Sequence, residues 1–436
     1  MNTKKTVKVG LVGFGTIGTG VAKLLLNEKT RMGQRSGVNL VLARIADLDT
    51  TRDRGVPKAV KILTPSADDI INDPEISIVV ELVGGTTYAK TLVEKALDAG
   101  KNVVTANKAL LATYGKELFD RAREKGCTIA FEAAVAGGIP IIAGIGQSLQ
   151  ANKIQSIHAI LNGTSNFILS TMEETGADYE STLKEAQKLG YAEANPALDV
   201  SGSDAAQKLA ILAHLSFGAL VNWKDIPRTG VDVVQSVDMY FAKQLGYKIR
   251  LLGVANQTKS GLELSVSPTL VKQGTNIANV SGAFNAVHIV GDAVGNVFFY
   301  GKGAGELPTA SAVCADILDT AIGRTALTFN VLNLWGDDRP ATPLRNPDDV
   351  EGRFYLRMNV VDAPGVMAKI SDILAQKNIS IASLLQYGNG NGKTNGTVPM
   401  ILITHASTEG AVNQAIEQIN ALSCVKAATV KLRILD

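Results

Sequence analysis

A glycine-rich turn between a short strand and a helix is the strongest constraint on the fold of this 436-residue chain. Residues 7–12 are apolar and mostly β-branched, and the spacing G-x-G-x-x-G follows at once. In such a turn the first glycine permits a tight bend, the second lets the backbone approach a pyrophosphate, and the third allows the helix to pack on the strand. The motif alone also fits a purely structural turn, but its position between strand and helix predicts dinucleotide binding. The residues expected to contact the cofactor here are Gly13, Phe14, Gly15, Thr16, Ile17 and Gly18.

Strands alternate with helices up to residue 132, and this pattern predicts an α/β domain with a doubly wound parallel sheet of the Rossmann type. Further strands are expected at 39–46, 76–83, 101–105 and 127–132. Helices are expected to start near residue 66 and to cover 88–99 and 114–125. We therefore predict a nucleotide-binding domain over residues 1–132.

The pattern changes after residue 132, where small residues fill 133–146 and strand-like runs later dominate 247–299. Residues 133–305 are expected to form a separate α+β domain for substrate binding and dimerisation, with residues 306–335 returning to the first domain. A polar, proline-containing stretch at 336–350 reads as a linker. Residues 351–436 follow the order βαββαβ, which predicts a ferredoxin-like module with helices at 366–376 and 409–420 and a hairpin tip at 389–397.

Composition excludes several classes of function. Lys and Arg number 43 against 41 Asp and Glu, so the formal charge of +2 gives no footprint for nucleic acid or for an anionic membrane. No apolar run reaches the roughly 18 residues that a spanning helix needs. The 3 Cys residues form neither a disulfide framework nor a zinc spacing, which favours a reducing cytoplasm. Cys424, near the terminus, leaves open a redox-linked bond between subunits.

The choice between NAD and NADP stays open at the second strand. Asp47 follows that strand, where an acid usually accepts a bond from a ribose hydroxyl. Arg44, Arg52 and Arg54 lie nearby in sequence and are suited to a 2′-phosphate instead.

The stretch 186–208 carries the densest group of chemically active side chains. Asp204 and Lys208 are four residues apart, so both project from one face of the predicted helix. A surface ion pair explains this spacing equally well, but the helix is mostly apolar, and charges on a nearly buried helix must be paired or functional. A sheltered lysine can exchange a proton near neutral pH, and a carboxylate pair such as Glu193 and Asp204 can hold an ammonium or hydroxyl group. Lys108 follows a predicted parallel strand, at the edge where α/β sheets bind ligands, although an ordinary surface lysine also fits.

Together these motifs resemble the homoserine dehydrogenase family over nearly the whole chain. The family's signature is matched by Ala186, Gly190, Tyr191, Ala192, Asn195, Pro196, Asp199, Val200, Gly202, Asp204 and Lys208. The glycine turn and the runs 106–108, 162–166 and 303–310 resemble its other blocks.

The resemblance implies reversible oxidation of L-homoserine to L-aspartate 4-semialdehyde with NAD or NADP. It implies that Lys208 is the proton donor and acceptor and that Lys108 is a second lysine beside nicotinamide and substrate. Further residues are implied to bind substrate, namely Glu193, Asp204, Asp199, Gly163 and Thr164. Cofactor contacts are implied for the glycine turn and for Asp47, Arg44, Lys108 and Gly305.

The resemblance also implies a monovalent cation site, for sodium or potassium, built largely from backbone carbonyls. The matching positions are Glu132, Val135, Gly137 and Ile139. Oxygen ligands suit hard cations, and small residues would let carbonyls converge, but a tight packing crossover remains an alternative.

The C-terminal module resembles an ACT domain. Such domains pair with one another and often bind an amino acid at the strand–helix loop, here Asp362, Gly365 and Val366. The resemblance implies feedback by L-threonine, or a role in oligomerisation alone, with a homodimer or homotetramer as the assembly.

Two other functional classes require features that this sequence lacks. An aspartate semialdehyde dehydrogenase needs a thiolate nucleophile with a histidine base, and no Cys lies in a loop with His near it. A non-enzymatic amino-acid sensor predicts a damaged acid–lysine cluster, whereas this cluster is intact.

Overall fold

The computed structural model describes residues 5–336, 341–386 and 396–435, and these residues form two compact units. The first unit contains the described residues of 1–155, 207–225 and 285–342. The second contains those of 156–206, 226–284 and 343–436. The domain borders predicted from the sequence remain predictions.

A six-stranded sheet with strand order β3-β2-β1-β4-β5-β6 forms the centre of the first unit. Its strands are β1 (Thr6–Val12), β2 (Asn39–Ala46), β3 (Leu63–Thr64), β4 (Ile76–Glu81), β5 (Asn102–Thr105) and β6 (Ile129–Ala130). The helices of the same stretch are α1 (Thr16–Asn27), α2 (Lys29–Ser36), α3 (Asp68–Ile71), α4 (Thr87–Asp98), α5 (Lys108–Glu124) and α6 (Ile141–Ala143). All neighbouring strands pair in parallel, which confirms the predicted doubly wound sheet. The order reverses between β1 and β4, and α/β sheets bind ligands at such a switch point.

The middle of the chain contains both helices and strands. Its elements are β7 (Ile154–Ile160), α7 (Gly163–Thr175), α8 (Tyr179–Lys188), α9 (Ala197–Val200), α10 (Ser203–Phe217), α11 (Ser236–Gln244), β8 (Tyr247–Thr258), β9 (Gly261–Lys272), β10 (Phe284–Gly291), β11 (Gly295–Lys302), α12 (Glu306–Ala321) and α13 (Arg324–Leu332). Within the first unit α12 packs against α1, where a Cβ added to Gly20 would lie 2.9 Å from the Cβ of Ala310. Ala310, Val313 and Ile317 thereby join the buried core of the nucleotide-binding sheet.

The C-terminal part has the predicted order βαββαβ with one short extra strand. Its elements are β12 (Glu351–Val361), α14 (Val366–Gln376), β13 (Ile381–Gln386), β14 (Thr397–Thr404), β15 (Ser407–Thr408), α15 (Glu409–Asn420) and β16 (Val430–Leu435). Alternate residues of β12 enter the core under α14 and α15, because successive side chains of a strand point to opposite faces. The predicted bounds of both helices agree with the structure.

One continuous sheet runs through the second unit in the order β7-β8-β9-β16-β12-β14-β13. Strand β16 pairs in parallel with β9, with Arg433 opposite Thr269 and Leu435 opposite Val271. The C-terminal module is therefore hydrogen-bonded directly to the strand that precedes it in the sheet. Within the stretch predicted as a linker, Leu344 forms a bridge with Leu262 and Arg345 pairs with Glu263 at 2.5 Å.

Several predicted bounds were wrong. The helix expected at 114–125 begins at Lys108, because the Asn107 side chain caps it by accepting the N–H of Leu110 at 3.1 Å. The strand expected at 127–132 is only Ile129–Ala130, because the chain bends into a 3-10 turn at Glu132–Ala134. The helix expected to start near residue 66 is present as the short α3, which begins at Asp68. Most of the predicted hairpin tip, 389–395, lies outside the described residues.

No helix among the described residues combines the length and the apolar character that crossing a bilayer requires.

Candidate active site

The three glycines of the first turn differ in what surrounds them. Gly13 has φ +100°, and a Cβ there would lie 2.5 Å from the carbonyl oxygen of Leu82. A Cβ on Gly18 would lie 2.0 Å from the carbonyl oxygen of Gly13, so only glycine lets α1 begin this close to β1. A Cβ on Gly15 would meet no protein atom within 4 Å. Fold packing therefore requires Gly13 and Gly18, whereas the space at Gly15 is available to a ligand.

A cleft of about 570 Å³ opens beside this turn at the switch point of the sheet. Its walls come from the carboxyl ends of β1, β2 and β4. They include Val12, Gly13, Gly15, Asp47, Leu48, Leu82, Val83, Gly84 and Tyr88. Phe14, Thr16, Ile17 and Gly18 continue the turn into α1. The volume falls within the roughly 300–1,000 Å³ of small-molecule sites.

Asp47 is held at the edge of this cleft by a dense set of bonds. Its carboxylate accepts the backbone N–H of Phe14 at 2.6 Å and that of Asp49 at 2.9 Å. Arg54 donates to the same carboxylate at 3.2 Å and to the carbonyl of Phe14 at 2.6 Å. Arg44 instead contacts Asp73 at 3.4 Å. Arg54 is thus the arginine that the fold brings to Asp47. The sequence alone did not distinguish it from Arg44 and Arg52.

The helix that returns to this domain begins after a glycine with a positive φ. Gly305 is exposed with φ +113° and precedes α12. Glu306, the first residue of α12, pairs with Lys23 of α1 at 2.7 Å. Gly305 therefore lies at a helix start that is fixed to the helix following the glycine turn.

Lys108 is the first residue of α5 and is half-buried. Asn107, which caps this helix, donates from its side chain to the carbonyl of Gly85 at 2.7 Å and from its backbone to the hydroxyl of Thr105 at 3.0 Å. The position of Lys108 thus depends on the loops that follow β4 and β5.

An amide–carboxylate cluster forms in the second unit. The side-chain nitrogen of Asn162 donates to Asp199 and to Asp204, both at 2.8 Å, and its oxygen caps α7 by accepting the N–H of Ser165 at 2.8 Å. Asp204 is buried, and the hydroxyl of Ser165 donates to the carbonyl of Asp199 at 2.9 Å. One amide therefore fixes two carboxylates close together.

The other predicted substrate residues surround this cluster to different degrees. Gly163 and Thr164 begin α7, and the hydroxyl of Thr164 donates to the carbonyl of Tyr191 at 2.6 Å. Lys208 lies one helical turn after Asp204 on α10 and is half-buried. Glu193 is exposed, and Gln187 donates to its backbone carbonyl at 3.2 Å. The structure therefore does not place Glu193 within the bonds of Asn162.

The stretch expected to hold a cation is a buried turn. Ala136 and Gly137 both have positive φ, at 55° and 51°, and Val135 and Ile139 are buried on either side. The Glu132 carboxylate accepts the N–H groups of Ile142 and Ala143, each at 2.8 Å. Burial raises the pKa of Glu132. Each oxygen of this carboxylate thus accepts one backbone N–H, and oxygen atoms are the ligands that hard cations prefer. Within the described ranges, three or more His, Cys, Asp or Glu side chains nowhere converge as a metal centre.

The loop expected to bind an effector lies between β12 and α14. Asp362 and Gly365 are exposed, and Val366 is the buried first residue of α14. Gly365 has φ +85°, and the N–H of Asp362 donates to the carbonyl of Gly396 at 3.0 Å.

Comparison with known proteins decides the family. The model described as "Homoserine dehydrogenase" matches residues 140–318, and the model described as "Homoserine dehydrogenase, NAD binding domain" matches residues 13–132. A third, "ACT domain", matches residues 354–421. Homoserine dehydrogenase of Pseudomonas aeruginosa is 44% identical over 99% of both chains, and that of Bacillus subtilis is 36% identical over 99% of this chain and 98% of the relative. This chain belongs to the homoserine dehydrogenase family.

Solved structures agree. A homoserine dehydrogenase from Thiobacillus denitrificans has a TM-score of 0.91 at 42% identity and covers 99% of both chains. A hyperthermophilic archaeal homoserine dehydrogenase in complex with NADPH has a TM-score of 0.59 at 27% identity, with 72% of this chain and 97% of that chain covered.

The predicted family, fold class and enzyme class are thereby confirmed. As a homoserine dehydrogenase, the protein is an NAD(P)-dependent oxidoreductase with a C-terminal ACT domain.

Sequence reasoning missed one buried acid in the nucleotide-binding domain. Glu81 ends β4 and is fully buried beside the cleft. The signal was present, because a carboxylate in an otherwise apolar parallel strand requires partners.

Proposed function

We propose that the protein interconverts L-homoserine and L-aspartate 4-semialdehyde with Lys208 as general acid and base. The observation that carries this proposal is the pair of bonds that the Asn162 amide donates to Asp199 and Asp204. Asp204 lies one helical turn before Lys208 on α10. Two fixed carboxylates make a site for the ammonium group of homoserine. The bound nicotinamide supplies the hydride acceptor, and the lysine amine takes the proton from the substrate hydroxyl, returning it in the reverse direction.

Other residues of the proposed site have supporting roles. Lys108 is proposed to contact nicotinamide and substrate, and Thr164, Gly163 and Glu193 to line the substrate site. Asp47 and Arg54 are proposed to contact the adenosine ribose of NAD or NADP, with Arg44 and Gly305 at the edges of the cofactor site. The glycine turn is proposed to hold the pyrophosphate at the N-terminus of α1.

Replacing the proposed base tests the mechanism. Lys208→Ala should lower kcat by about 10²–10⁴-fold while the dissociation constant for NADPH stays within about twofold, since general acid–base catalysis contributes that much. Initial rates with homoserine and fluorescence titration with NADPH measure the two quantities. Lys188→Ala, which removes an exposed lysine at the end of α8, is the matched control. Parental turnover in Lys208→Ala would reject the mechanism.

We also propose that sodium or potassium binds at Glu132, Val135, Gly137 and Ile139. The buried turn and the Glu132 carboxylate support this site. Replacing the sodium or potassium chloride of the assay by tetramethylammonium chloride at equal ionic strength should lower activity, and Glu132→Gln should remove that dependence. Equal rates in all three salts would count against the site.

Feedback by L-threonine is proposed at the loop containing Asp362, Gly365 and Val366. A chain of contacts between the ACT domain and the substrate cluster supports this proposal. Strand β16 of the ACT domain is bonded to β9. Val266 of β9 lies 3.0 Å from the place of a Cβ on Gly202, which is two residues before Asp204. Isothermal titration should show threonine binding that Asp362→Ala weakens. Absence of both binding and inhibition would leave the ACT domain an oligomerisation module.

The assembly is proposed to be a homodimer or homotetramer working in the cytoplasm. Cys127 and Cys314 are buried free thiols and Cys424 is a half-buried one, which suits a reducing compartment. Sedimentation velocity with and without reductant measures the assembly and tests a bond through Cys424.

A further inference from the structure

Glu81 is a buried carboxylate at the carboxyl end of the nucleotide-binding sheet that the proposed mechanism does not use. It is the last residue of β4, 0% exposed, and pairs in parallel register with Val12 of β1 on one side and Thr105 of β5 on the other. Val12 immediately precedes Gly13. Glu81 therefore lies at the centre of the edge where the cofactor cleft opens.

Its two oxygens bind two different loops. One oxygen accepts the backbone N–H of Val83 at 2.9 Å and that of Gly84 at 3.2 Å, and both residues line the cofactor cleft. The other accepts the hydroxyl of Thr105 at 2.6 Å, and Thr105 is 1% exposed. The carboxylate thus fixes the loop after β4 and the end of β5 at once.

The second contact continues toward Lys108. Because the Thr105 hydroxyl gives its proton to Glu81, its lone pairs are directed to the backbone N–H of Asn107, which donates to it at 3.0 Å. Asn107 also binds Gly85 at 2.7 Å and caps the helix that begins with Lys108. A closed set of bonds therefore joins Glu81, both loops and the start of α5.

We infer that Glu81 is a positioning residue that fixes the cofactor loop 83–85 relative to the start of α5, where Lys108 lies. The inference rests on the proposed role of Lys108. Burial raises the pKa of Glu81, while the surrounding N–H and O–H donors oppose that rise. The backbone N–H groups of Val83 and Gly84 can only donate, so this place requires an acceptor oxygen.

A buried lysine at the other end of β4 provides a control for simple loss of stability. Lys101 is also buried, and its ammonium donates to the carbonyls of Asp73 and Ile76, both at 2.7 Å, at the opposite end of β4. Lys101 and Glu81 thus fix the two ends of the same strand, but only Glu81 lies at the cofactor edge.

Glu81→Gln tests the inference. The amide has nearly the same shape but replaces one acceptor oxygen by an NH2 group, so the Thr105 hydroxyl loses its acceptor and the bond between these two side chains must break or reverse. We expect kcat/KM for homoserine to fall by about ten- to a hundredfold, as small misplacements of a reacting group do. The dissociation constant for NADPH should rise in the same variant. Lys101→Met should lower the melting temperature but keep kcat/KM within about twofold of the parent.

A double variant links Glu81 to Lys108. If Glu81 acts through Lys108, the effects of Glu81→Gln and Lys108→Ala on ln(kcat/KM) will be less than additive, because independent sites add. Additive effects, a parental kcat/KM in Glu81→Gln, or an equal fall in Lys101→Met would each overturn the inference. Parental turnover in Lys108→Ala, with cofactor affinity still reduced in Glu81→Gln, would instead reject the proposed role of Lys108. Thr105→Val breaks the same set of bonds and gives the same test if Glu81→Gln does not fold.

Discussion

At the scale of single residues, the Asp47 carboxylate fixes the glycine turn and an arginine at the same place. It binds the glycine turn through the N–H of Phe14 and is paired with Arg54, whose side chain is only 9% exposed. The guanidinium also lies over the Phe14 ring, with its carbon 4.9 Å from the ring centroid. A ribose hydroxyl and a 2′-phosphate would therefore meet a carboxylate and a guanidinium side by side.

Removing the Asp47 carboxylate should shift cofactor preference toward NADP. In Asp47→Ala the ribose hydroxyl of NAD loses an acceptor, and a 2′-phosphate no longer meets a negative charge while Arg54 becomes available to it. We expect the ratio of kcat/KM for NADP to that for NAD to rise about tenfold, since a hydrogen bond to a charged group contributes about 1.5–3 kcal/mol. Initial rates with both cofactors measure this ratio. A ratio that falls would contradict the assignment of Asp47 to the ribose.

His214 gives the fold a defined dependence on pH. Its ring accepts the N–H of Trp335 at 2.7 Å, stacks on that indole at 4.4 Å, and faces the carbonyl of Ala219 at 3.2 Å. Burial lowers the pKa of His214 from 6.5 to about 4. Below pH 6.5 the imidazole is therefore protonated in the unfolded chain, whereas in the folded chain it takes up a proton only near pH 4.

Stability should therefore fall as pH drops from 6.5 to about 4, with His214 contributing up to about 3 kcal/mol of the loss. His214→Gln cannot take up this proton, so its melting temperature should change less over this range than that of the parent. Thermal unfolding followed by tryptophan fluorescence at several pH values makes the comparison, and parallel curves for the two proteins would contradict it.

At the scale of secondary-structure elements, the turn between β1 and α1 separates folding from binding. Gly13 and Gly18 meet backbone atoms of the protein itself, whereas Gly15 faces open space. The same short motif thus contains two glycines required by packing and one, Gly15, that packing does not require.

Two alanine variants should separate these roles. Gly15→Ala should keep the melting temperature within about 2 °C of the parent and raise the NADPH dissociation constant at least about tenfold, because the methyl group occupies the space for the pyrophosphate. Gly18→Ala should destabilise the domain by about 1–3 kcal/mol, because its Cβ would lie 2.0 Å from the carbonyl oxygen of Gly13. Calorimetry and NADPH titration distinguish them, and unchanged affinity in Gly15→Ala would reject this site for the pyrophosphate.

At the scale of the whole molecule, the ACT domain is built into the sheet of the second unit. Besides the pairing of β16 with β9, a buried polar contact joins β12 to α11. Asp238 is 0% exposed and accepts bonds from Arg357 at 2.7 Å and from the hydroxyl of Tyr355 at 2.8 Å. Arg357 and Tyr355 occupy the face of β12 opposite to the ACT core.

Breaking this ion pair should loosen the second unit. Arg357→Met leaves the Asp238 charge buried, which costs about 3–5 kcal/mol, and Asp238→Asn in addition should recover part of that loss. Urea unfolding and the rate of limited proteolysis within residues 351–435 follow the change. Equal stability of Arg357→Met and the parent would show that water or rearrangement compensates the charge.

The sequence by itself determined the elements that depend on local patterns. The glycine spacing required the turn after β1, and apolar periodicity set the bounds of α14 and α15, because short-range packing and capping decide helix limits. The spacing of Asp204 and Lys208 on one helix face is also a local pattern. Helix α5 shows the limit of that approach, because its start at Lys108 depends on a cap from Asn107 within a network of tertiary bonds.

Only the tertiary structure decided which distant residues meet. Alternation along a strand indicates which face is buried, but not which strand edges pair, so the partnership of β16 with β9 could not be predicted. The burial of Asp238 under Arg357 and the bond between Glu81 and Thr105 depend in the same way on chain folding over long sequence separations. Arg54 lies close to Asp47 in sequence, but its position also depends on its bond to the distant carbonyl of Phe14. The physical reason is that a charged side chain shows its type in the sequence, whereas its burial and partners are fixed only when the sheets have assembled.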